Sequence, residues 1–384
     1  MWAGVLGSAP DLPVAPALAR NELRKVEWGA LRPPLVPIPE QVPQKAPNSR
    51  SVMKAIIPLA GKGSRLRPLT YVTPKPLLRV AGKPVMSYIL DDLIELGVDE
   101  VVFIVGYLQD VVREYVASTY PDLKAQYVVQ AVQDGTAGAV KLAEPFADDE
   151  LLIVFVDTVF DADLGIIRTL PDDAAGVIWA KEVEDYQRFG VIVTREDGTM
   201  DRIVEKPTEP ISKFANIGLY YIRDYQLLFE GINHTLAQPA SKGGEYYLTD
   251  AFQYMVEKGA RIHTAAVDGW YDCGKPETLL ETNHHLLGDG RFLLSDDAEM
   301  IDTGVDGVVR VESGAEVRGS RIGPNVTIEE GARVIDSVLR DTIVGRGAEV
   351  VGSTLHDSII GAGSSVSSIT GRVFVADLTV IEGS

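Results

Sequence analysis

Three hydrophobic–polar patterns follow one another along the chain. Through residue 52 none is sustained, because nine of the 22 prolines fall between positions 10 and 47 and each removes a backbone donor that a helix or sheet would use. That stretch reads as a tail or linker, or as sequence upstream of a natural start at Met53, and carries no core of its own. From Met53 the pattern becomes regular. Ala55 to Leu59, Val101 to Val105 and Leu151 to Val156 are apolar on both faces, as buried parallel strands are. Pro84 opens a helix whose Val85, Met86, Ile89, Leu90, Leu93 and Ile94 share one face before Gly97. Residues 110–118 read as a second helix and 125–130 as another strand. The alternation predicts an α/β domain with a parallel sheet covered on both sides. From about Val308 the spacing changes to six, through Ile322, Ile328 and Val334, then Val338, Val344 and Val350, then Ile360 and Val366. A single coil of such a repeat cannot bury its aliphatic face, so about four coils must stack.

Composition narrows this picture. A chain of 384 residues exceeds one ordinary hydrophobic core, and 46% hydrophobic content allows more than one. The predicted divisions are a proline-rich extension over 1–52, an α/β domain over 53–289, and a connector with the repeat domain over 290–384. A net charge of −19 argues against non-specific binding to nucleic acid or to an anionic membrane. Cys273 is the one cysteine, which rules out an intrachain disulfide and a cysteine-rich metal site. No apolar run reaches membrane-spanning length. The expectation is a soluble, cytoplasmic protein.

The candidate chemistry begins after the first strand. Gly61-x-Gly63-x-Arg65, with Arg67 and Lys75 beyond, offers backbone amides and cations to an anion, a phosphate above all. The string is neither the dinucleotide G-x-G-x-x-G nor a P-loop. Further along, Gln130 and Gly135 can pair with and admit a planar group, or simply form a loop. Asp157 ends a strand, where a carboxylate meets a ligand or caps the next helix. Phe189-Gly190-Val191, Glu205-Lys206-Pro207, Asn216-Ile-Gly218 and Trp270-Tyr-Asp272-Cys273-Gly274 complete the set. Cys273 reads as a space-filler and His356 as an isolated histidine.

These motifs, in this order, resemble those of the bacterial sugar-1-phosphate nucleotidyltransferases, most nearly the long-form glucose-1-phosphate thymidylyltransferases. The resemblance implies a Rossmann-like nucleotidyltransferase sheet followed by a C-terminal left-handed parallel β-helix. It assigns Gly61, Gly63, Arg65 and Lys75 to the triphosphate, Gln130 and Gly135 to the base, and Gly190, Glu205, Lys206 and Asn216 to the sugar phosphate. Asp157 and Asp272 become ligands for Mg²⁺, although Val156-Asp157-Thr158 departs from the family's usual G-D-N. The catalytic set would be Arg65, Lys75, Asp157, Lys206 and Asp272, joining dTTP to glucose 1-phosphate and releasing pyrophosphate. UTP, ATP or GTP chemistry on another sugar phosphate, or a noncatalytic assembly subunit, are the alternatives. A homo-oligomer is expected from the repeat domain.

Overall fold

A computed structural model of the protein describes residues 53–241, 243–288 and 292–383. The extension expected over residues 1–52 lies outside them. Strand β1 (Lys54–Pro58) leads through the hairpin β2 (Arg79–Val80) and β3 (Lys83–Pro84) into α1 (Val85–Leu96). Then come β4 (Glu100–Val105), α2 (Gln109–Thr119), β5 (Lys124–Val129), α3 (Thr136–Lys141) and β6 (Leu151–Val154). The domain continues with β7 (Thr158–Asp161), β8 (Ala174–Glu182), β9 (Gly190–Thr194), β10 (Met200–Glu205) and β11 (Phe214–Ile222). It ends with α4 (Tyr225–Leu236), α5 (Leu248–Glu257), β12 (Arg261–Ala266), β13 (Gly269–Asp272) and α6 (Pro276–Leu287).

The parallel rhythm expected from the apolar runs holds through β6. β5, β4, β1 and β6 lie side by side and parallel. β11 then joins β6, β8 and β9 antiparallel, while β12 runs parallel to β8. The sheet is therefore mixed rather than wholly parallel. The connections between β8, β9, β10 and β11 are short, and a parallel crossover needs about a dozen residues or more. Alternate side chains of β1 build the cores on its two faces. Ala55 and Ile57 pack with Met86, Leu90 and Val112 from α1 and α2; Ile56 packs with Ile104, Val140, Leu228 and Phe252 on the other side.

One predicted strand ends early. Ladder pairing stops at Val154, Phe155 N–H donates to Gly218 O at 2.9 Å, and the chain turns into β7. That strand leaves the main sheet and pairs antiparallel with β13, with Thr158 opposite Asp272. The apolar run conceals this departure because Val156, Val159 and Phe160 are buried again after the turn.

The C-terminal domain is a stack of short parallel strands, in keeping with a left-handed β-helix. Val317 lies beside Val334, Val334 beside Val350, Val350 beside Val366 and Val366 beside Ile381. This ladder has six strands, more than the four coils expected. Its first and last rungs, Glu299–Ile301 and Val380–Glu382, lack the aliphatic spacing of six and so escape a periodicity search. Val380–Glu382 thus continues the stack. The inward aliphatics form a core of their own. A second apolar cluster joins Leu66, Val80, Val159, Cys273 and Leu279 of the catalytic domain to Ile343, Ile359 and Phe374 of the solenoid.

Candidate active site

The C-terminal ends of the parallel strands open on two cavities that share Arg65, Phe155 and Asp157 in their walls. The first, about 500 Å³, is lined by Gly61, Gly63, Arg65, Lys75, Gln130, Gly135 and Asp157. The second, about 400 Å³, is lined by Gly190, Glu205, Lys206, Asn216 and Asp272 as well as Arg65 and Asp157. Every residue given a catalytic, binding or metal role by the resemblance therefore reaches one lobe or the other, whereas Arg67, also offered as a cation for the anion, lines neither and lies over Tyr71, 5.3 Å from the ring centre. Arg65 and Asp157 stand where the lobes meet.

The loop after β1 is shaped by its own contacts. Gly63 takes a left-handed turn with φ 61°, and its carbonyl accepts the buried Thr70 hydroxyl at 2.9 Å. Arg65 is exposed and has no hydrogen-bond or ion-pair partner among the described residues, which leaves its guanidinium available to a ligand. Lys75 instead lies 3.3 Å from Asp157 Oδ2. In the second lobe a cation and a carboxylate also meet, with Lys206 Nζ 3.6 Å from Glu205 Oε1.

The β7–β13 pair brings the two aspartates together. Cys273 N–H donates to the Asp157 carbonyl at 2.8 Å, and Gly274 N–H donates to Asp272 Oδ1 at 2.8 Å. Asp272 is thereby fixed by backbone, while the Asp157 side chain stays half-exposed to the cavity. Two carboxylates facing a ligand-sized space suit Mg²⁺, which is commonly held by one or two carboxylates with waters and phosphate oxygens. Among the described residues no group of three or more acidic, histidine or cysteine side chains forms a metal cage. Lys75 supplies the positive charge beside Asp157. Burial pushes the Cys273 thiol up to about 12, as a space-filling cysteine requires.

At the far end of the first lobe, Gln130 Nε2 donates to Asp134 Oδ1 at 3.3 Å, which leaves the amide oxygen for another partner. Gly135 has φ 113°, and a Cβ there would lie 2.4 Å from Tyr246 O. Only glycine lets the start of α3 and the 245–247 segment approach this closely. In the second lobe a Cβ on Gly190 would stand 2.3 Å from Asn216 Nδ2. Asn216 Nδ2 donates to Gly190 O at 2.9 Å and its oxygen accepts the Tyr220 hydroxyl. Its amide thus ties β9 to β11 and holds the lobe open.

Several contributors were not legible in the motifs. Burial raises the Glu205 carboxyl, against the pull of Lys206 and of the Thr249 hydroxyl, which donates to Oε2 at 3.1 Å. Burial would lower Lys206, but the Tyr247 hydroxyl and Glu205 outweigh it and hold the amine above its usual value. Its Nζ also sits 4.7 Å from the centre of the Tyr247 ring. Tyr247 and Thr249 stand at the start of α5 and belong to none of the motifs above. Thr158 Oγ1 and Trp270 Nε1 are buried and have no hydrogen-bond partner among the described residues, in residues whose other atoms line this lobe. Phe189 packs edge-on against Trp270 at 4.9 Å and fixes the indole.

Comparison with known proteins bears on the whole of this region. The Nucleotidyl transferase family matches residues 54–288. The chain is 32% identical over 239 residues to the UTP–glucose-1-phosphate uridylyltransferase AglF of Haloferax volcanii, spanning 61% of this chain and 96% of that protein. It is 34% identical over 281 residues to the bifunctional protein GlmU of Methanocaldococcus jannaschii, spanning 73% of this chain but 61% of the relative. A glucose-1-phosphate thymidylyltransferase of Streptomyces antibioticus is 31% identical over 314 residues, covering 76% and 87% of the two chains. In fold, the crystal structure of a UDP-glucose pyrophosphorylase complexed with UDP-glucose superposes with a TM-score of 0.55 at 23% identity, over 61% of this chain and 98% of that one. This spread does not favour the long-form thymidylyltransferases over the archaeal relative named for UTP. What it establishes is broader: the chain is an enzyme of the sugar-1-phosphate nucleotidyltransferase family.

Proposed function

We propose that the enzyme transfers a uridylyl group from UTP to glucose 1-phosphate, giving UDP-glucose and pyrophosphate. The observation that carries this reading is the meeting of two ligand-sized lobes at Arg65 and Asp157, with Asp272 fixed on the neighbouring strand opposite Thr158. The first lobe takes the nucleotide, with Gln130 toward the base and the Gly61–Arg65 loop and Lys75 toward the triphosphate. The second takes the sugar phosphate. Glu205 accepts from sugar hydroxyls, and Lys206 orients the attacking phosphate. A phosphate oxygen of the sugar attacks the α-phosphorus as the bond from that phosphorus to the β-bridging oxygen breaks. The nucleophile is already anionic, so the protein's work is alignment and charge stabilisation. Asp157 and Asp272 are the residues that would hold Mg²⁺, whose charge would relieve repulsion between carboxylates and phosphates. Arg65 and Lys75 stabilise the departing pyrophosphate.

UTP is favoured over dTTP by the uridylyltransferase relative, 96% of whose length is matched. Thymidylyl transfer is the second reading, supported by the streptomycete relative that aligns over 314 residues. Pyrophosphate release should be measured for UTP, dTTP, ATP and GTP crossed with glucose, galactose, mannose and N-acetylglucosamine 1-phosphates. The highest kcat/KM is expected for UTP with glucose 1-phosphate. A maximum with another nucleotide overturns the base assignment, and no release with any pair overturns the reaction.

A further inference from the structure

The loop that carries Lys75 is tied to the C-terminal solenoid on both sides. Before it, the Thr73 hydroxyl donates to Asp377 Oδ2, while Ala362 N–H donates to the other carboxylate oxygen at 2.9 Å and fixes that side chain. After it, Arg79 Nε donates to Glu329 Oε1 at 2.9 Å, and Arg79 Nη2 lies 3.6 Å from Glu312 Oε2. Arg346 N–H donates to Glu329 Oε2 at 3.2 Å, so this carboxylate too is anchored within the solenoid. Between the two ties, Leu77 N–H donates to Pro74 O at 2.8 Å and Leu78 N–H to Lys75 O at 3.2 Å, which makes the segment one tight turn. Beneath it, Ile343, Ile359 and Phe374 pack on Leu66, Val80 and Cys273. Glu329 and its Arg79 partner are largely withdrawn from water, where a charge-assisted contact holds geometry far better than at a surface.

We propose that the solenoid is part of the catalytic apparatus: Asp377 and Glu329, acting through Thr73 and Arg79, set the position from which Lys75 meets the triphosphate and Asp157. These four are positioning residues, since none lines either lobe. The proposal rests on the nucleotidyl-transfer reading for its kinetic consequence, but not for its structural one.

The test uses the full chain. Thr73→Val removes the first tie. Arg79→Ala would leave a buried carboxylate unpaired, so it is made together with Glu329→Gln. Asp377→Asn retains a side-chain amide able to bond Thr73 and serves as the conservative rescue, against Asp377→Ala. Arg333→Ala, whose partners are Glu316 and Glu349 within the solenoid, is the control. Thr73→Val, Asp377→Ala and the double variant should quicken hydrogen exchange at the Leu77 and Leu78 amides. They should also lower kcat/KM for the nucleotide by roughly 10- to 100-fold, as displacement of a reactive group by a fraction of an ångström does. Asp377→Asn and the control should match wild type in both readouts. Unchanged exchange at the two amides refutes the proposal. So does a fall in melting temperature with kinetic constants unaltered, which is a merely structural contact. If wild type releases no pyrophosphate, the proposed reaction falls and the exchange measurement alone decides the tie.

Discussion

Glu329 gives the most quantitative prediction the structure offers. Its side chain is 2% exposed, at the junction of the two domains. Burial pushes the carboxyl up to about 7 from an ordinary 4.5, against the opposing pull of Arg79 and the Arg346 amide and with a further push from Glu312. Arg310 Nε in turn holds Glu312 at 2.9 Å. Desolvation therefore outweighs the ion pair, as it can when a charge is removed from water. The folded protein holds this proton more tightly than the unfolded chain does, so acid favours folding at this site. The contribution is complete below pH 4.5 and is lost as the pH rises through about 7. At about 1.4 kcal/mol per tenfold, the whole swing is about 3 kcal/mol, of which about 2 to 3 falls between roughly pH 5 and pH 8.

Glu329→Gln removes the titration while retaining an oxygen for Arg79 Nε. Equilibrium urea denaturation of wild type and variant across this pH range isolates one group, because every other titration is common to both. The variant should gain about 2 to 3 kcal/mol on wild type as the pH is raised from about 5 to about 8. A difference independent of pH would refute the reasoning, since it would mean that Glu329 titrates alike in folded and unfolded chains. A difference of opposite sign would mean that the Arg79 pair, and not burial, governs the carboxyl.

Three further outcomes test the site itself. Asp157→Asn should lower kcat by about 100-fold or more and weaken its dependence on Mg²⁺, with secondary structure by circular dichroism unchanged; near-normal values of both would reject the assignment. Lys206→Ala should raise KM for the sugar phosphate by roughly 10- to 100-fold, the equivalent of one charged hydrogen bond, and leave KM for the nucleotide within about twofold. Gly190→Ala places a methyl 2.7 Å from Thr249 Cγ2 and 2.9 Å from Glu205 Oε2. It should cost about 1 to 3 kcal/mol in a denaturation experiment and displace Glu205, seen as impaired sugar-phosphate use at unchanged nucleotide affinity.

Much of the fold was legible because its parts carry strong local signals. β1, β4 and α1 each announce themselves by period, and the valine and isoleucine rungs of the solenoid recur along one ladder. The antiparallel half of the sheet was not legible, since an apolar run such as Leu151 to Val156 does not say where its hydrogen bonds go. The residues that follow it leave the main sheet for β13, and that departure is what brings Asp157 beside Asp272. The chemical residues stood in short motifs whose types and spacing suit phosphate and sugar, and all but Arg67 line the two lobes.

The residues that hold the chemical groups in place obey a different logic. Thr249 gave no signal for its contact with Glu205, because a threonine near a helix start has an adequate local explanation. Arg79 and Glu329 are 250 positions apart, and Thr73 and Asp377 are 304 apart. No periodicity relates such pairs, and each member alone reads as an ordinary polar side chain. A phosphate-binding lysine can be recognised by type and neighbourhood; the geometry that makes it useful depends on partners supplied from elsewhere in the chain. If the solenoid anchors that geometry, its inward aliphatics and its few bonded carboxylates do different work. Substitutions in the stacked core should then act on stability first, whereas substitutions at Asp377 and Glu329 should reach turnover through the Lys75 loop.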